Sequence, residues 1–519
     1  QRQMCIRDSS ALYGNTYGGA NTAVGSRALR CNTSGFRNTA VGSRALSYNT
    51  TGRRNTAVGT NALRPNTSGR YNTAIGDNAL YSNTRGCCNT AVGSSALLFN
   101  TTGTYNTAVG VYALRNNNYG VKNTAVGMNA LRCNTTSSNT AVGYSALRYN
   151  TTGCRNTALG TYSLFCNING NCNVAVGNFA LLWNKANNNT AIGDSAMCCN
   201  TTGYSNTAVG SCSLRNNRTG RYNVAVGTKS LYCNKADGNT AVGYYALRSN
   251  TTGVGNTAVG KYALRSNTTG QNNTAVGTQA LMCHRAGCLN TAIGFQALYY
   301  DRYGVCNTAV GFRALYFSCN RSANTGVGSF ALFCNVLGDY NTAVGDKSIQ
   351  CNNNGSFNTG LGWKSLYGNI GGSGNTAIGA GALTCNTTGF FNTAVGSSAL
   401  SRNSSGTGNT AIGLNAMGYN CCGILNTSVG QGSLYKNCNG NFNTGLGVNS
   451  LRLNYAGSRN TAVGYAAGCS LYGFSNVVIG GYTGSAEVQF QNNNVFISDG
   501  DGNLQLFITG SSRLATFTG

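Results

Sequence analysis

The side chains able to do chemistry are few and unevenly stocked. The chain of 519 residues holds 23 Cys, one His, ten acidic residues and 36 Lys plus Arg, a formal charge of +26. General acid–base catalysis draws mainly on His, Glu and Asp. Here there is one His, His284, and one Glu, Glu487, so the composition argues against an enzyme. No Cys-x-x-Cys pair occurs, which argues against zinc. Asp499, Asp501 and Asn503 have the opening spacing of a calcium loop but lack its Glu at position 12, and a hairpin turn explains them. No metal, cofactor or small-molecule substrate is expected. The basic residues carry more information. Arg30, Arg64, Arg115, Arg132, Arg148, Arg215, Arg248 and Arg265 recur at one phase of a repeat, and Tyr81 shares that phase. Guanidinium groups beside aromatic rings suit phosphate, carboxylate and sugar rings. The competing reading is a surface that needs some charge for solubility.

The repeat that positions these residues reads Asn-Thr-Ala-Val-Gly-x-x-Ala-Leu-x-x-Asn-Thr-Thr-Gly-x-x. It begins at Asn21 and is last seen at Asn476, in 17-residue steps with four of 16. The first column is always Asn (Asn21, Asn38, Asn55) and the fifth always Gly. Column twelve is a second Asn column (Asn32, Asn49), and the Arg/Tyr residues occupy column ten. Asn and Gly at this frequency are poor helix formers. Alternation with period 2 suggests two short strands per unit. It places Val24 and Leu29, Val41 and Leu46 on the core face, Ala23 and Gly25 on a small-residue face, and column ten outward. A unit this small closes a core only by stacking on its neighbours. The expected fold is all-β: a parallel β-solenoid, or β-roll, of about 28 coils with 17-residue repeats over residues 9–480. Asn side chains would form ladders along it, since stacked amides hydrogen-bond from one coil to the next. Nine cysteines in column eleven, among them Cys31, Cys166 and Cys334, are expected to be free, buried hydrophobes. The many Asn-x-Ser/Thr triplets coincide with the column-twelve Asn, which explains them without glycosylation. His284 stands in place of one such Asn and is expected to be a turn residue.

The block Asn-Thr-Ala-Val-Gly-x-x-Ala-Leu resembles the head repeat of trimeric autotransporter adhesins of the YadA type, and also repetitive phage tail-fibre shafts. The resemblance covers about residues 9–480 and concerns architecture; no binding residue of the family maps onto a motif here. It implies a homotrimer, a location outside the cell, on its surface or on a virion, and attachment to a surface. The small-residue face is expected to make the trimer contact, and the anionic cell surface or glycan is expected to meet the Arg/Tyr stripe. Two alternatives stand beside this. One is an ice-binding solenoid, disfavoured because column-two Thr shares a face with the Val expected inside. The other is a nucleic-acid or polyanion-binding rod, disfavoured because Arg is spread out rather than gathered in a patch. Residues 1–8 depart from the repeat and read as translated sequencing-adaptor DNA. Residues 481–519 are expected to be an irregular β segment with a hairpin. Both ends are expected to be incomplete.

Overall fold

The computed structural model describes residues 4–6, 10–484, 490–510 and 515–517. They form two compact units, Gln1–Gly255 and Asn256–Gly519. Each is a parallel β-solenoid with no helix among the described residues, and together they account for about 28 turns at the 17-residue spacing. Each repeat contributes one three-residue strand, such as Thr22–Val24 or Thr257–Val259. Strands stack in register: Thr22, Ala23 and Val24 lie beside Thr39, Ala40 and Val41, and Thr257, Ala258 and Val259 beside Thr274, Ala275 and Val276. Of the stretch read as adaptor sequence, Met4–Ile6 pairs in parallel with Thr22–Val24, and residues 1–3 and 7–8 lie outside the described residues.

The second expected strand does not form, and the core face is the reverse of the expected one. Ala23 is fully buried while Thr22 and Val24 are half-exposed, and Val41 is half-exposed like Val24. Leu29 and Leu46 are fully buried, as expected, together with Ala28 and Ala45. The reason is local. Leu29 has φ 48° and Leu46 φ 50°, with Arg27 and Arg44 also left-handed. These turns break the alternation, so adjacent residues Ala28 and Leu29 both point inward. The Leu side chain then fills the interior, and the strand facing it has room only for a methyl group. The turn still stacks on the next coil, because the Leu29 N–H donates to the Ala45 carbonyl at 3.0 Å. Of the Ala23/Gly25 face expected at a trimer contact, Ala23 therefore lies inside the chain's own core, while Gly25 is half-exposed at the turn that follows the strand. Column-five Gly is required twice over: Gly42 has φ 129°, and a Cβ there would sit 2.6 Å from the Gly59 oxygen.

The Asn ladders form. Asn49 Nδ2 donates to Asn32 Oδ1 at 2.7 Å, and Asn66 Nδ2 to Asn49 Oδ1 at 2.8 Å. In the first column the Asn38 backbone N–H donates to Asn21 Oδ1 and that of Asn55 to Asn38 Oδ1, each at 3.0 Å. Asn38 Nδ2 and Asn49 Nδ2 both donate to the Gly52 carbonyl, at 2.8 and 3.1 Å, which ties the end of each coil to its beginning. All these Asn residues are buried, so every rung satisfies polar groups that water does not reach. In the second unit, Val495–Ser498 adds a further parallel strand beside Val477–Ile479, then turns back antiparallel to Leu504–Ile508. The hairpin turn is held by Asp499, whose Oδ1 accepts from the backbone N–H of Asn503 at 2.8 Å and of Asp501 at 3.1 Å. Hydrogen bonds from the side chain and then the backbone of Asn503 hold the Asp499 carboxyl below its ordinary pKa.

Candidate functional site

Column ten follows the inward Leu directly, so its side chain emerges at the surface. In the first unit Arg30 is exposed, and Arg64, Tyr81, Arg115, Arg132, Arg148, Arg215 and Arg248 are half-buried; in the second, so is Arg265. What half-buries them is aromatic surface from neighbouring columns. The Arg115 guanidinium lies 4.9 Å from the Phe99 ring centre and 5.8 Å from that of Tyr112, and Arg132 lies 5.4 Å from Tyr112. Arg248 sits 5.1 Å from Tyr245, and Arg265 5.3 Å from Tyr262. Arg64 Nη1 donates to the Tyr81 hydroxyl at 3.0 Å, and Arg215 Nη1 to that of Tyr232 at 2.9 Å, one coil further along the same column. These contacts order long side chains that would otherwise move freely; they also bury the Nε of Arg115, Arg148, Arg215 and Arg248, which has no hydrogen-bond partner among the described residues.

The stripe has no internal counter-charge. The ion pairs among the described residues are His284–Asp301 and Arg321–Asp339, so none of the stripe arginines is paired with a carboxylate. Charge is densest near the start of the first unit. There Arg27, Arg30, Arg44 and Arg64 line one small cleft of about 20 Å³ with Ser47 and Tyr48. The pKa of Arg64 is raised, first by its hydrogen bond with Tyr48 and then by Tyr81. Periodicity alone identifies column ten, but not Arg27 and Arg44. They are column-seven residues whose left-handed backbone turns them toward the column-ten arginines. The aromatic supports in columns seven and eleven were likewise missed, although their recurrence with the 17-residue period was a usable signal.

The cysteines are free among the described residues, but most are not buried. Cys31, Cys133 and Cys166 are half-buried and Cys351 and Cys385 exposed, because column eleven lies at the surface beside column ten. Cys198 is buried, and burial is the main cause that pushes its thiol up to about 11. Thiols of that kind are poor nucleophiles at neutral pH. His284 has a partner that sequence reading overlooked. Asp301, 17 residues on, replaces Asn in the same column of the next coil; both side chains are fully buried, with Nδ1 3.2 Å from Oδ2. No protein-family model matches the chain, and no curated protein matches it in sequence.

Proposed function

We propose that this chain is the shaft of an attachment fibre or surface adhesin, carried outside the cell or on a virion. In this reading the Arg/Tyr stripe meets an anionic envelope or acidic glycan. The observation that carries it is the set of arginines ordered on aromatic rings without carboxylate partners. Guanidinium supplies paired hydrogen bonds to phosphate or carboxylate, and Tyr supplies flat surface for sugar rings. Many weak contacts of one kind repeat at coil spacing, so binding is avid and electrostatic. Adsorption to bacterial envelope or an acidic polysaccharide is expected to fall steeply between low and high salt. It should drop by at least about tenfold when Arg115, Arg132, Arg148, Arg248 and Arg265 are changed to Gln, the equivalent of about 1.4 kcal/mol. Guanidinium stays charged at all ordinary pH values, so the protein's own contribution should hardly vary between mildly acidic and mildly basic buffer. Equal adsorption by wild type and variant would leave the stripe as a solubility device.

The shaft is proposed to be a homotrimer associated through the Thr/Val face. Ile75, Leu159 and Ile192 are 41%, 47% and 40% exposed there, an aliphatic ladder that extends along each unit, and ladders of this kind mark interaction surfaces. The same outward Thr favours a second reading, an ice-binding face. Columns two to four carry no charged residue. Hydroxyl and methyl groups repeat at about 4.8 Å along the stack and about 6.6 Å across it, a regular array able to order water. One measurement separates the two. A three-chain mass in sedimentation at micromolar concentration supports the shaft and covers the face. A one-chain mass, with ice crystals shaped by wild type but not by a variant carrying Lys at Thr90, Thr107 and Thr124, supports ice binding.

A further inference from the structure

In the first unit, Tyr149, Cys166 and Trp183 occupy column eleven of three successive coils. Where aromatic residues hold one column in consecutive coils, their rings stack: Tyr300 and Phe317 are 5.3 Å apart and 4° from parallel, and Tyr316 and Phe333 are 5.3 Å apart and 7° from parallel. Cys166 interrupts such a column. Its small side chain leaves room in the column, and a groove of about 370 Å³ runs there along columns eleven and thirteen, lined by Cys133, Tyr149, Cys166 and Trp183 of four successive coils and by Ile168 and Lys185 beside them. That volume is within the range of small-ligand sites. Tyr149 is held in place from outside the cavity, edge-to-face against Phe165 at 4.9 Å and beneath the Arg148 guanidinium at 5.1 Å. Trp183 is half-exposed, at 51%, so its ring is open to a ligand. Lys185, two residues beyond Trp183, also lines the cavity and is in no ion pair among the described residues.

We infer that this gap between Tyr149 and Trp183 is a binding site for one acidic pyranose, a sugar ring bearing a carboxylate, with Lys185 receiving the charge. Tyr149 and Trp183 lie two coils apart along the groove, about 9.6 Å in coil spacing. A pyranose presents C–H groups on its faces, the side of a sugar that packs on aromatic rings. No carboxylate lines the cavity and Lys185 does, so an anionic sugar is favoured over a neutral one. The ammonium is also felt within the groove: burial raises the Cys166 thiol, and the charge of Lys185 opposes that rise.

This inference rests on the glycan-attachment reading, of which it names one subsite. The chain has two Trp, so Trp363→Phe leaves Trp183 as the sole reporter. The full-length W363F protein is titrated with D-glucuronic acid, D-glucose and uridine monophosphate while Trp emission is followed. A saturable change with glucuronic acid is expected, about tenfold weaker for glucose and about tenfold weaker for glucuronic acid when Lys185→Gln is added, the loss of one charge-assisted contact. Cys166→Phe should fill the gap and abolish the response while leaving the far-ultraviolet circular dichroism unchanged. No saturable change with glucuronic acid, tighter binding of the nucleotide, or an undiminished response in the Cys166→Phe protein would each overturn the proposal. Changing Arg115, Arg132, Arg248 and Arg265 to Gln leaves the cavity intact. That variant is expected to keep the titration while losing envelope adsorption, so failure of the stripe and failure of the cavity give different results.

Discussion

Ala208→Asp is expected to disrupt the first unit, and Val209→Asp, one residue along, is not. Ala208 is the centre of the strand Thr207–Val209, fully buried, while its two neighbours are half-exposed. A carboxylate at Ala208 would point into a space already filled by Ala and Leu side chains, with no cation beside it. An unpaired buried charge costs about 3–5 kcal/mol, with overpacking of the interior in addition. Because each coil is supported only by its neighbours, the loss acts on the stack locally and then on both sides of the break. Val209→Asp puts its charge toward water; it loses β-propensity and some apolar contact, about 1 kcal/mol. Thermal unfolding and amide-exchange protection of the coils around residue 208 distinguish the two. Equal destabilisation by both substitutions would contradict the assigned face.

The second large effect concerns a stretch where the column-twelve Asn ladder changes chemistry, at His284 and Asp301, with the buried Ser318 in the coil that follows. His284 Nε2 meets the Gly287 carbonyl at 2.9 Å, and a carbonyl only accepts, so that nitrogen carries a proton. Nδ1 faces Asp301 Oδ2, and Asp301 Oδ1 accepts the Gly304 N–H at 3.0 Å. In the regular ladder an Asn donates its amide to the Asn one coil earlier in the chain, as Asn49 does to Asn32. Here the Nδ1–Oδ2 contact links His284 to the following coil instead, with one proton shared between the two side chains. His284→Asn restores the commonest residue of the column yet is expected to destabilise the second unit by about 3 kcal/mol, because it leaves Asp301 buried without its partner. Adding Asp301→Asn should recover most of that loss by rebuilding an amide rung like Asn32–Asn49. Asp301→Asn alone should cost about 1 kcal/mol, since the new amide can donate to a neutral Nδ1. The four melting curves form a double-mutant cycle. Additive effects would show that the two residues do not act as a pair.

Several features were legible in the residues themselves. The 17-residue period, the parallel stack, the two Asn ladders and the outward Arg/Tyr column all follow from which side chains recur and at what interval. Recurrence is a sufficient signal there, because an Asn or Gly repeated at the same point of every coil has the same backbone task in each. Column ten was legible as exposed because it follows the inward Leu. The aromatic supports from columns seven and eleven, the cleft shared by Arg27, Arg30, Arg44 and Arg64, and the gap beside Cys166 were not. They depend on how neighbouring columns and coils approach each other in space.

The direction of the strand was decided by the tertiary structure alone. Period-2 alternation establishes that Ala23 opposes Thr22 and Val24, but it is silent on which side is inside. Hydrophobicity by itself favours burying Val. The left-handed residues at Arg27 and Leu29 instead turn Ala28 and Leu29 inward together, and the Leu occupies the interior before the strand reaches it. Only a methyl group fits opposite, so Ala23 goes in, and Val24 and Thr22 are left as the outward face.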